Sequence, residues 1–326
     1  MSCISIFLRN RLISFLCVLC LLLPMLLSCG NPAADGDPFY LRFTDSTGEE
    51  VILKDRPVRV AVLFSSFAEM WQLAGGEVAV TVGESVERGF CPAGTALVDS
   101  GAGKTVNAEL LIANRPDLVI CSADIAAQNE ISGILRDAGI PVARFRVESF
   151  SDYLSVLKIM TDITGNAEAY ETNGLSVSRE ADTVKAIYGK RTAGSILFLR
   201  VGSSARSTKA KDASGHFAAS MLEELGCFNI ADRAPILLDG ISMETILTEN
   251  PYRIFVTTMG DEDAARSYLA SLLESDAWQA LSAVREGRVE ILPKELFQFK
   301  PNARWGEAYR YLAEILYETD PTTENR

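Results

Sequence analysis

Histidine is nearly absent from this chain, and its scarcity excludes several kinds of site. His216 is the only histidine among 326 residues. A serine–histidine triad would have to use it, and no G-x-S-x-G elbow accompanies it. Zinc and manganese sites built from several histidine ligands are disfavoured as well. His216 stands at a predicted helix start in SGHFAAS, so we expect it to cap that helix or to lie at the surface.

Cysteine is equally scarce in the part of the chain that is predicted to fold. Of seven cysteines, only Cys91, Cys121 and Cys227 lie beyond residue 29. Scattered cysteines without a C-x-x-C pair favour neither a disulfide framework nor a zinc site. Cys121 lies within the apolar run LVIC, and we expect it to pack in the core.

Positive charge is in short supply, since the formal net charge is −12. Proteins that bind DNA or RNA present a basic face, so nucleic acid is not an expected partner. The segment GAGKT at 101–105 resembles the end of a phosphate-binding P-loop. That motif requires an earlier glycine where Val98 stands, so we interpret the segment as a flexible loop at a cleft rim.

An export signal opens the chain. Two arginines precede an apolar run over 12–27, which is shorter than the roughly 20 residues of a membrane span. The run ends in LLSC at 26–29, which resembles a bacterial lipobox. We predict a signal peptide over 1–28, lipidation of Cys29 and a flexible tether over 29–38. The protein would then be anchored in the cell envelope outside the cytoplasmic membrane; the alternative is an ordinary signal peptide with an incidental cysteine.

Short β-branched runs alternate with helical patterns through most of the chain, as in a parallel sheet covered by helices. The segment FYLRFTDSTGEEVIL at 39–53 alternates apolar and polar residues around a turn and predicts a hairpin. Further strands are predicted at 58–64, 77–83, 117–122, 142–147, 195–201, 253–258 and 287–293.

The alternation stops between residues 151 and 189, where only helical patterns occur. A helix over 167–188 would be about 33 Å long at 1.5 Å per residue, long enough to join two lobes. The predicted fold class is therefore α/β, with two Rossmann-like lobes, a single long bridging helix and a ligand cleft between the lobes. The predicted boundaries are 39–165 for the first lobe, 166–190 for the bridge, 191–320 for the second lobe and 321–326 for a tail.

One segment occurs twice, once in each predicted lobe. VNAELLIANRPDLVI and ISMETILTENPYRIFV each place a glutamate, Glu109 or Glu244, seven residues before a proline and an apolar run. Each glutamate lies in the first turn of a predicted helix, where the helix dipole stabilises an acid by roughly 0.3–1 kcal/mol without any partner. Stabilisation of its own helix is therefore enough to explain either glutamate alone. The occurrence of two equivalent glutamates favours instead a matched pair of contacts with a partner protein.

These features together resemble the lipoproteins that bind substrate for bacterial ABC importers of ferric siderophores, haem and cobalamin, the class III periplasmic binding proteins. The likeness rests on RPVRVAVL, SSFAEMWQLAGG, both repeats, the bridging helix and NARWGEAYRYLAEILY. It implies two lobes around a shallow cleft, with Glu109 and Glu244 docking on arginines of a permease dimer that works with an ATPase. It also implies a transported ligand, a metal chelate, rather than an intrinsic cofactor or a directly bound metal.

Ligands of α/β proteins bind beyond the carboxyl ends of parallel strands, which selects the cleft candidates. In a chain this acidic, the basic loop after the strand at 195–201 fits an anionic ligand, although a solvated loop is the alternative. Trp305 is an aromatic wall or, at its helical spacing, a core residue. The candidates are Ser65, Ser66, Phe67, Arg88, Phe90, Asp124, Arg200, Arg206, Lys209, Phe299, Arg304 and Trp305.

The predicted function is capture of a metal chelate and its delivery to the importer, without catalysis. Ferric siderophore is the first choice because of the basic loop, and haem and cobalamin are the alternatives on the same fold. Two further alternatives are a surface adhesion or sensory lipoprotein that does not serve transport, and a metallocluster-binding reductase-like subunit. The scattered cysteines argue against the last.

Overall fold

The computed structural model describes residues 39–99, 105–233 and 242–317. The predicted signal peptide, the lipidation of Cys29, the tether, most of the GAGKT segment and the tail lie outside the described residues. Within them, no helix combines the length and the hydropathy that crossing a membrane requires.

An antiparallel hairpin precedes the first sheet. Strands β1 (Leu41–Thr44) and β2 (Glu50–Leu53) pair in register, and the buried Asp45 carboxylate accepts the backbone N–H of Thr47 at 2.8 Å within the turn. An aspartate that bonds the backbone two residues ahead stabilises such a turn. The predicted hairpin is confirmed.

The first lobe contains a five-stranded sheet whose strand pairs are all parallel. The strand order is β5-β4-β3-β6-β7. Buried β-branched runs such as LVICS suit a sheet that is covered on both faces. The strands are β3 (Val60–Val62), β4 (Val78–Thr81), β5 (Ala96–Leu97), β6 (Leu118–Ser122) and β7 (Val142–Phe145). The helices are α1 (Ser65–Leu73), α2 (Gly83–Glu87), α3 (Ala108–Ala113) and α4 (Ala126–Asp137).

Helices alone follow, as the sequence predicts. Helix α5 (Phe150–Thr164) begins with a capping box formed by Ser149 and Asp152 and ends at Gly165, whose φ is +69°. The predicted 167–188 helix is continuous but has three parts, α6 (Ala167–Tyr170), a π-helical turn (Glu171–Leu175) and α7 (Ser176–Tyr188). A Cβ at Gly174, inside that turn, would stand 3.1 Å from the Tyr170 ring and 3.3 Å from Leu157. Glycine therefore permits a close approach there.

The second lobe repeats the architecture with four parallel strands in the order β10-β8-β11-β12, and β9 adds antiparallel to β8. The predicted α/β class is thereby confirmed. Its strands are β8 (Gly194–Val201), β9 (Lys209–Ala210), β10 (Cys227–Asn229), β11 (Arg253–Thr258) and β12 (Val289–Ile291). Its helices are α8 (Phe217–Glu224), α9 (Met243–Glu249), α10 (Glu262–Leu273), α11 (Asp276–Gln279), α12 (Ser282–Arg285), α13 (Lys294–Phe297) and α14 (Trp305–Tyr317).

One hydrophobic cluster extends from the first lobe through α5 and α7 into the second lobe. Trp305 lies at its centre, with ring centroids of Phe150 and Phe217 at 5.5 and 5.4 Å. Two smaller clusters involve the two sheets separately, one around Val119 and one around Ile254. Cys121 is fully buried in the first of these, as predicted. The large cluster fixes the base of the cleft because it joins the lobes.

Candidate ligand-binding cleft

A cleft of about 480 Å³ lies where strands of both sheets end. Ser65 and Ser66 begin the helix that follows β3, Arg200 lies near the end of β8, and Met259 follows β11. The carboxyl ends of parallel strands therefore form the site from both lobes. The lining residues are Phe64, Ser65, Ser66, Glu84, Glu87, Ile125, Glu148, Arg200, Gly215, His216, Phe217, Met259, Gln298, Phe299 and Lys300.

Arg88 is held rigidly beside this cleft. Its guanidinium carbon lies 3.7 Å from the ring centroid of Phe299 in the second lobe and 4.6 Å from that of Phe90 in its own lobe. Its Nη1 donates to Ser65 Oγ at 2.8 Å and to Ser66 Oγ at 3.3 Å. Stacking and hydrogen bonding together fix the orientation of the planar group.

Arg88 carries a charge that no carboxylate neutralises directly. Among the described residues, no carboxylate lies within ion-pair distance of Arg88. It is connected to an acid only through Ser65, whose hydroxyl donates to Glu84 Oε2 at 2.9 Å. Burial lowers the pKa of Arg88, and the charges of Glu84 and Glu69 oppose this shift. An arginine remains protonated under these conditions, so the cleft wall keeps a fixed positive charge.

The second lobe contributes cations of its own. Arg200 lines the cleft, its Nε is buried without an acceptor, and no carboxylate within the described residues pairs with it. Lys211 is half-buried, and burial followed by the charge of Arg200 lowers its pKa. Lys300 is the exception, because its Nζ lies 3.0 Å from Glu148 Oε1 of the first lobe. Arg200 thus keeps its charge available for a ligand. Lys211 lines neither cavity but adds positive charge near Arg200 and His216.

His216 caps α8, and it also lines the cleft. Its Nδ1 accepts the backbone N–H of Ala218 at 3.2 Å. Burial, ahead of the charges of Lys300 and Arg200, holds the pKa of His216 well below its ordinary value of 6.5. The imidazole is therefore neutral at physiological pH.

A smaller cleft of about 350 Å³ adjoins the main one and shares Phe299 and Lys300 with it. Its acid Glu69 accepts Asn302 Nδ2 at 2.7 Å, and burial raises the pKa of that carboxyl. Asn302 Nδ2 also lies 3.0 Å from the carbonyl oxygen of Ser66. The segment 299–302 of the second lobe therefore packs against α1 of the first.

The family model described as periplasmic binding protein matches residues 60–296 of this sequence. The match spans both sheets and most of the chain. The chain belongs to the periplasmic binding protein family. The family expected from the sequence is thus confirmed.

Solved structures of periplasmic binding proteins share this fold. An ABC transporter substrate-binding protein from Listeria monocytogenes EGD-e superposes with a TM-score of 0.68 at 15% identity, covering 81% of this chain and 100% of that chain. SirA of Staphylococcus aureus complexed with staphyloferrin B superposes with a TM-score of 0.63 at 19% identity, covering 85% of this chain and 97% of that chain. S. aureus IsdE complexed with heme superposes with a TM-score of 0.65 at 12% identity, covering 80% of this chain and 99% of that chain. A comparison with curated proteins found no match.

Seven of the predicted cleft residues line one of the two cavities described above. Three others lie elsewhere: Asp124 forms an ion pair with Arg146 at 2.5 Å, Arg206 is exposed in a 3-10 turn, and Lys209 lies on β9. The seven are Ser65, Ser66, Arg200 and Phe299 in the main cleft and Arg88, Phe90 and Arg304 in or beside the smaller one, which Phe299 also lines.

Phe67 and Trp305 are corrections, because both side chains are core residues. Phe67 is 2% exposed and packs edge-on to Phe145, and Trp305 has no exposed surface at all. Both belong to apolar stripes of helices, and the helix turns them away from the strand ends by about 100° per residue.

Several cleft residues are not among the predicted candidates; Glu148, His216, Met259 and Gln298 are examples. Glu148 and Met259 each follow a predicted strand within a few residues, so the strand-end rule applied to every strand would have found them. His216 was interpreted as a cap, which is confirmed, but its place beside the cleft depends on how α8 packs against β8.

Glu109 and Glu244 occupy matching places in the two lobes. Each is the second residue of a short helix capped by Asn107 or Ser242, and each side chain is exposed. Neither carboxylate lies within ion-pair distance of a cation among the described residues. The described part of the chain also contains no cluster of three or more histidine, cysteine, aspartate or glutamate side chains that could hold a metal ion.

Proposed function

We propose that this protein is the substrate-binding component of an ABC importer and captures an anionic metal chelate, first of all a ferric siderophore. The observation that carries the proposal is two arginines from opposite lobes, neither with a carboxylate in ion-pair contact among the described residues. Arg200 lines the main cleft, and Arg88 lines the smaller cavity that adjoins it. Half-buried arginines without a counter-ion are costly unless a ligand supplies the charge.

None of the three glutamates that line the main cleft, Glu84, Glu87 and Glu148, forms an ion pair with either arginine among the described residues. Glu148 is bound to Lys300, and Glu84 accepts the Ser65 hydroxyl. A guanidinium presents paired N–H donors that match carboxylate and catecholate oxygens. A chelate that binds iron through such oxygens brings the required negative charge to the strand ends.

Docking on a permease dimer through Glu109 and Glu244 belongs to the same proposal. The N–H of Asn107, the cap of α3, donates to the carbonyl of Val98, whose own N–H donates to that of Thr81 at the end of β4. The helix that carries Glu109 thus begins near the carboxyl edge of the sheet, the edge that faces the cleft. Two exposed acids at equivalent positions suit a two-fold symmetric partner with basic side chains.

Haem is the second candidate, favoured by one observation. His216 and Met259 both line the cleft, and histidine and methionine side chains are ordinary axial ligands of haem iron. The fold is shared with IsdE, which was solved with heme, and equally with SirA, which was solved with staphyloferrin B.

A binding screen tests the proposal. Ferric citrate, a ferric tricatecholate, a ferric hydroxamate, haemin and cyanocobalamin are titrated into the purified protein, with tryptophan emission and absorbance as readouts. Trp305 contacts Phe217, a cleft residue, so a bound iron complex is expected to quench emission. We expect saturable binding of at least one ferric chelate. Binding of haemin alone would favour the second candidate, and binding of none of the five would contradict both.

A further inference from the structure

His216 has one ring nitrogen engaged and the other without a partner. Nδ1 accepts the N–H of Ala218, and no acceptor for Nε2 occurs in the described part of the chain. The residue is extended, with φ −160° and ψ 125°, as a helix N-cap should be. Its small exposed fraction, 8%, opens on the main cleft.

The cap determines which nitrogen carries the proton. A nitrogen that accepts a backbone N–H must be unprotonated, so the proton of a neutral imidazole is on Nε2. The ring is neutral because burial and the neighbouring cations disfavour its charged form. The atom that is not used by the helix is therefore a hydrogen-bond donor.

Two phenyl rings keep the imidazole in this orientation. Its centroid lies 4.7 Å from that of Phe198 and 4.9 Å from that of Phe217, to which it is nearly parallel at 19°. Rotation of the ring would break the cap and disturb this packing. The donor is thus positioned before any ligand arrives, which lowers the entropy lost on binding.

The surroundings of His216 select a negatively charged acceptor. Lys300, Arg200 and Lys211 are all close enough to disfavour its protonation, and the N-terminus of α8 lies behind it. Positive charge and helix dipole both attract an anionic oxygen to this side of the cleft. Three glutamates also line the cleft: Glu148 is paired with Lys300, Glu84 accepts the Ser65 hydroxyl, and none of the three is among the charges that act on the pKa of His216.

We infer that His216 binds the ligand by donating Nε2–H to an anionic oxygen and does not ligate the metal. Ligation would require the Nε2 lone pair and would move the proton to Nδ1, where it would meet the N–H of Ala218, donor against donor. Metal-binding histidines instead direct their second N–H at an acceptor. This inference rests on the proposed function, and it favours a chelate whose iron is already fully coordinated.

Two substitutions separate the donor from the cap. The short amide of His216→Asn reaches the position of Nδ1 and keeps the cap, but it has nothing at the position of Nε2. The longer amide of His216→Gln places N–H near Nε2 and loses the cap. We expect His216→Asn to raise the Kd for the best-bound ferric chelate about 10- to 100-fold, the range for a hydrogen bond to a charged group. His216→Gln should stay within a few-fold of the wild type.

Affinity and thermal stability are measured together for both variants. If His216 were only structural, affinity would fall with stability, and His216→Gln would be the weaker binder. Equal affinity of His216→Asn and the wild type would overturn the inference while leaving the proposed function intact. Failure of the wild type to bind any ferric chelate would overturn both. A haemin complex whose absorbance shows an imidazole ligand that His216→Asn lacks would overturn the inference alone.

Nitrogen NMR tests the tautomer directly, because a single histidine gives one set of ring signals. In the free ¹⁵N-labelled protein we expect Nε2 to be protonated and Nδ1 to be unprotonated. With the gallium(III) form of the same chelate, which is diamagnetic, the Nε2–H proton should move downfield as it enters a hydrogen bond. A free protein protonated on Nδ1 would overturn the inference.

Discussion

The two lobes share a strand order but prepare their halves of the cleft differently. In order of position, β4-β3-β6-β7 of the first lobe corresponds to β10-β8-β11-β12 of the second. The first lobe presents Arg88 clamped by two serines and two phenyl rings. The second presents Arg200, whose Nε has no hydrogen-bond partner among the described residues. Common topology therefore fixes where ligand contacts lie, whereas local side chains decide how rigid they are.

The largest effect is expected where the lobes are most alike. Glu109→Lys combined with Glu244→Lys should reduce cellular uptake of the ferric chelate to background, because the proposed permease contacts become repulsive on both lobes. Each single reversal should cause a partial loss of similar size. Uptake is measured in cells. The affinity of the purified protein for the ferric chelate is measured separately and should be unchanged.

The matched control for that experiment is Glu130→Lys with Glu274→Lys. These acids are also exposed, one in each lobe, and the change in net charge is the same. Uptake by the control should be near normal. Equal loss of uptake in both double variants would show that net charge matters rather than a docking pair.

Trp305 tests whether the lobes fold as one unit. Trp305→Ala should lower the free energy of unfolding by about 3–5 kcal/mol, the usual cost of removing a buried tryptophan. Because the cluster around Trp305 reaches both lobes, one urea transition should shift as a whole. Trp305→Phe should cost less, since Nε1 has no acceptor to lose. A second transition at the wild-type midpoint would show that one lobe is independent.

Substitution of the two arginines tests whether the first lobe holds its ligand contact more rigidly than the second lobe does. Arg88→Ala and Arg200→Ala should each weaken binding of the ferric chelate, by about 10- to 100-fold for a charged hydrogen bond. Lysine should rescue Arg200→Ala better than Arg88→Ala, because lysine cannot reproduce the planar stack between Phe90 and Phe299. Isothermal titration measures all four variants. Equal rescue at both positions would remove the contrast.

The smallest effect concerns the dependence of stability on pH. The unfolded chain binds a proton at His216 near pH 6.5, whereas the folded chain binds it only well below that value. Acid therefore favours unfolding. The neutral His216 makes its full contribution to the free energy of unfolding above pH 6.5. Below that pH the free energy of unfolding falls by up to about 1.4 kcal/mol per pH unit, until the pH reaches the pKa of the folded state. Urea midpoints at pH 7.5 and 5.5 should differ more for the wild type than for His216→Asn. Identical differences would contradict this.

Local patterns were sufficient for most of the fold. The strand RIFVTT has the predicted bounds, because the apolar run that forms it is encoded within a few residues. The π-helical turn at Glu171–Leu175 was not predicted, since it depends on how Tyr170 and Leu157 pack around Gly174.

The site was less accessible to prediction for a physical reason. The strand-end rule gives the position of a residue along the chain, but not the direction of its side chain, so it selected Phe67 together with Ser65 and Ser66. The pair Lys300–Glu148 joins residues 152 positions apart. No periodicity or spacing records such a contact, because it exists only once both lobes have packed.

The cluster that crosses from lobe to lobe has a consequence for the ancestry of the chain. The repeated helix–strand unit suggests modules, and modules invite exchange by recombination. Phe150 of α5, Phe217 of α8 and Trp305 of α14 nevertheless occupy one packed volume. A lobe taken from a relative would bring only half of that volume and leave a void or a clash. The two halves of this protein are therefore expected to have diverged together, as complementary surfaces rather than as interchangeable parts.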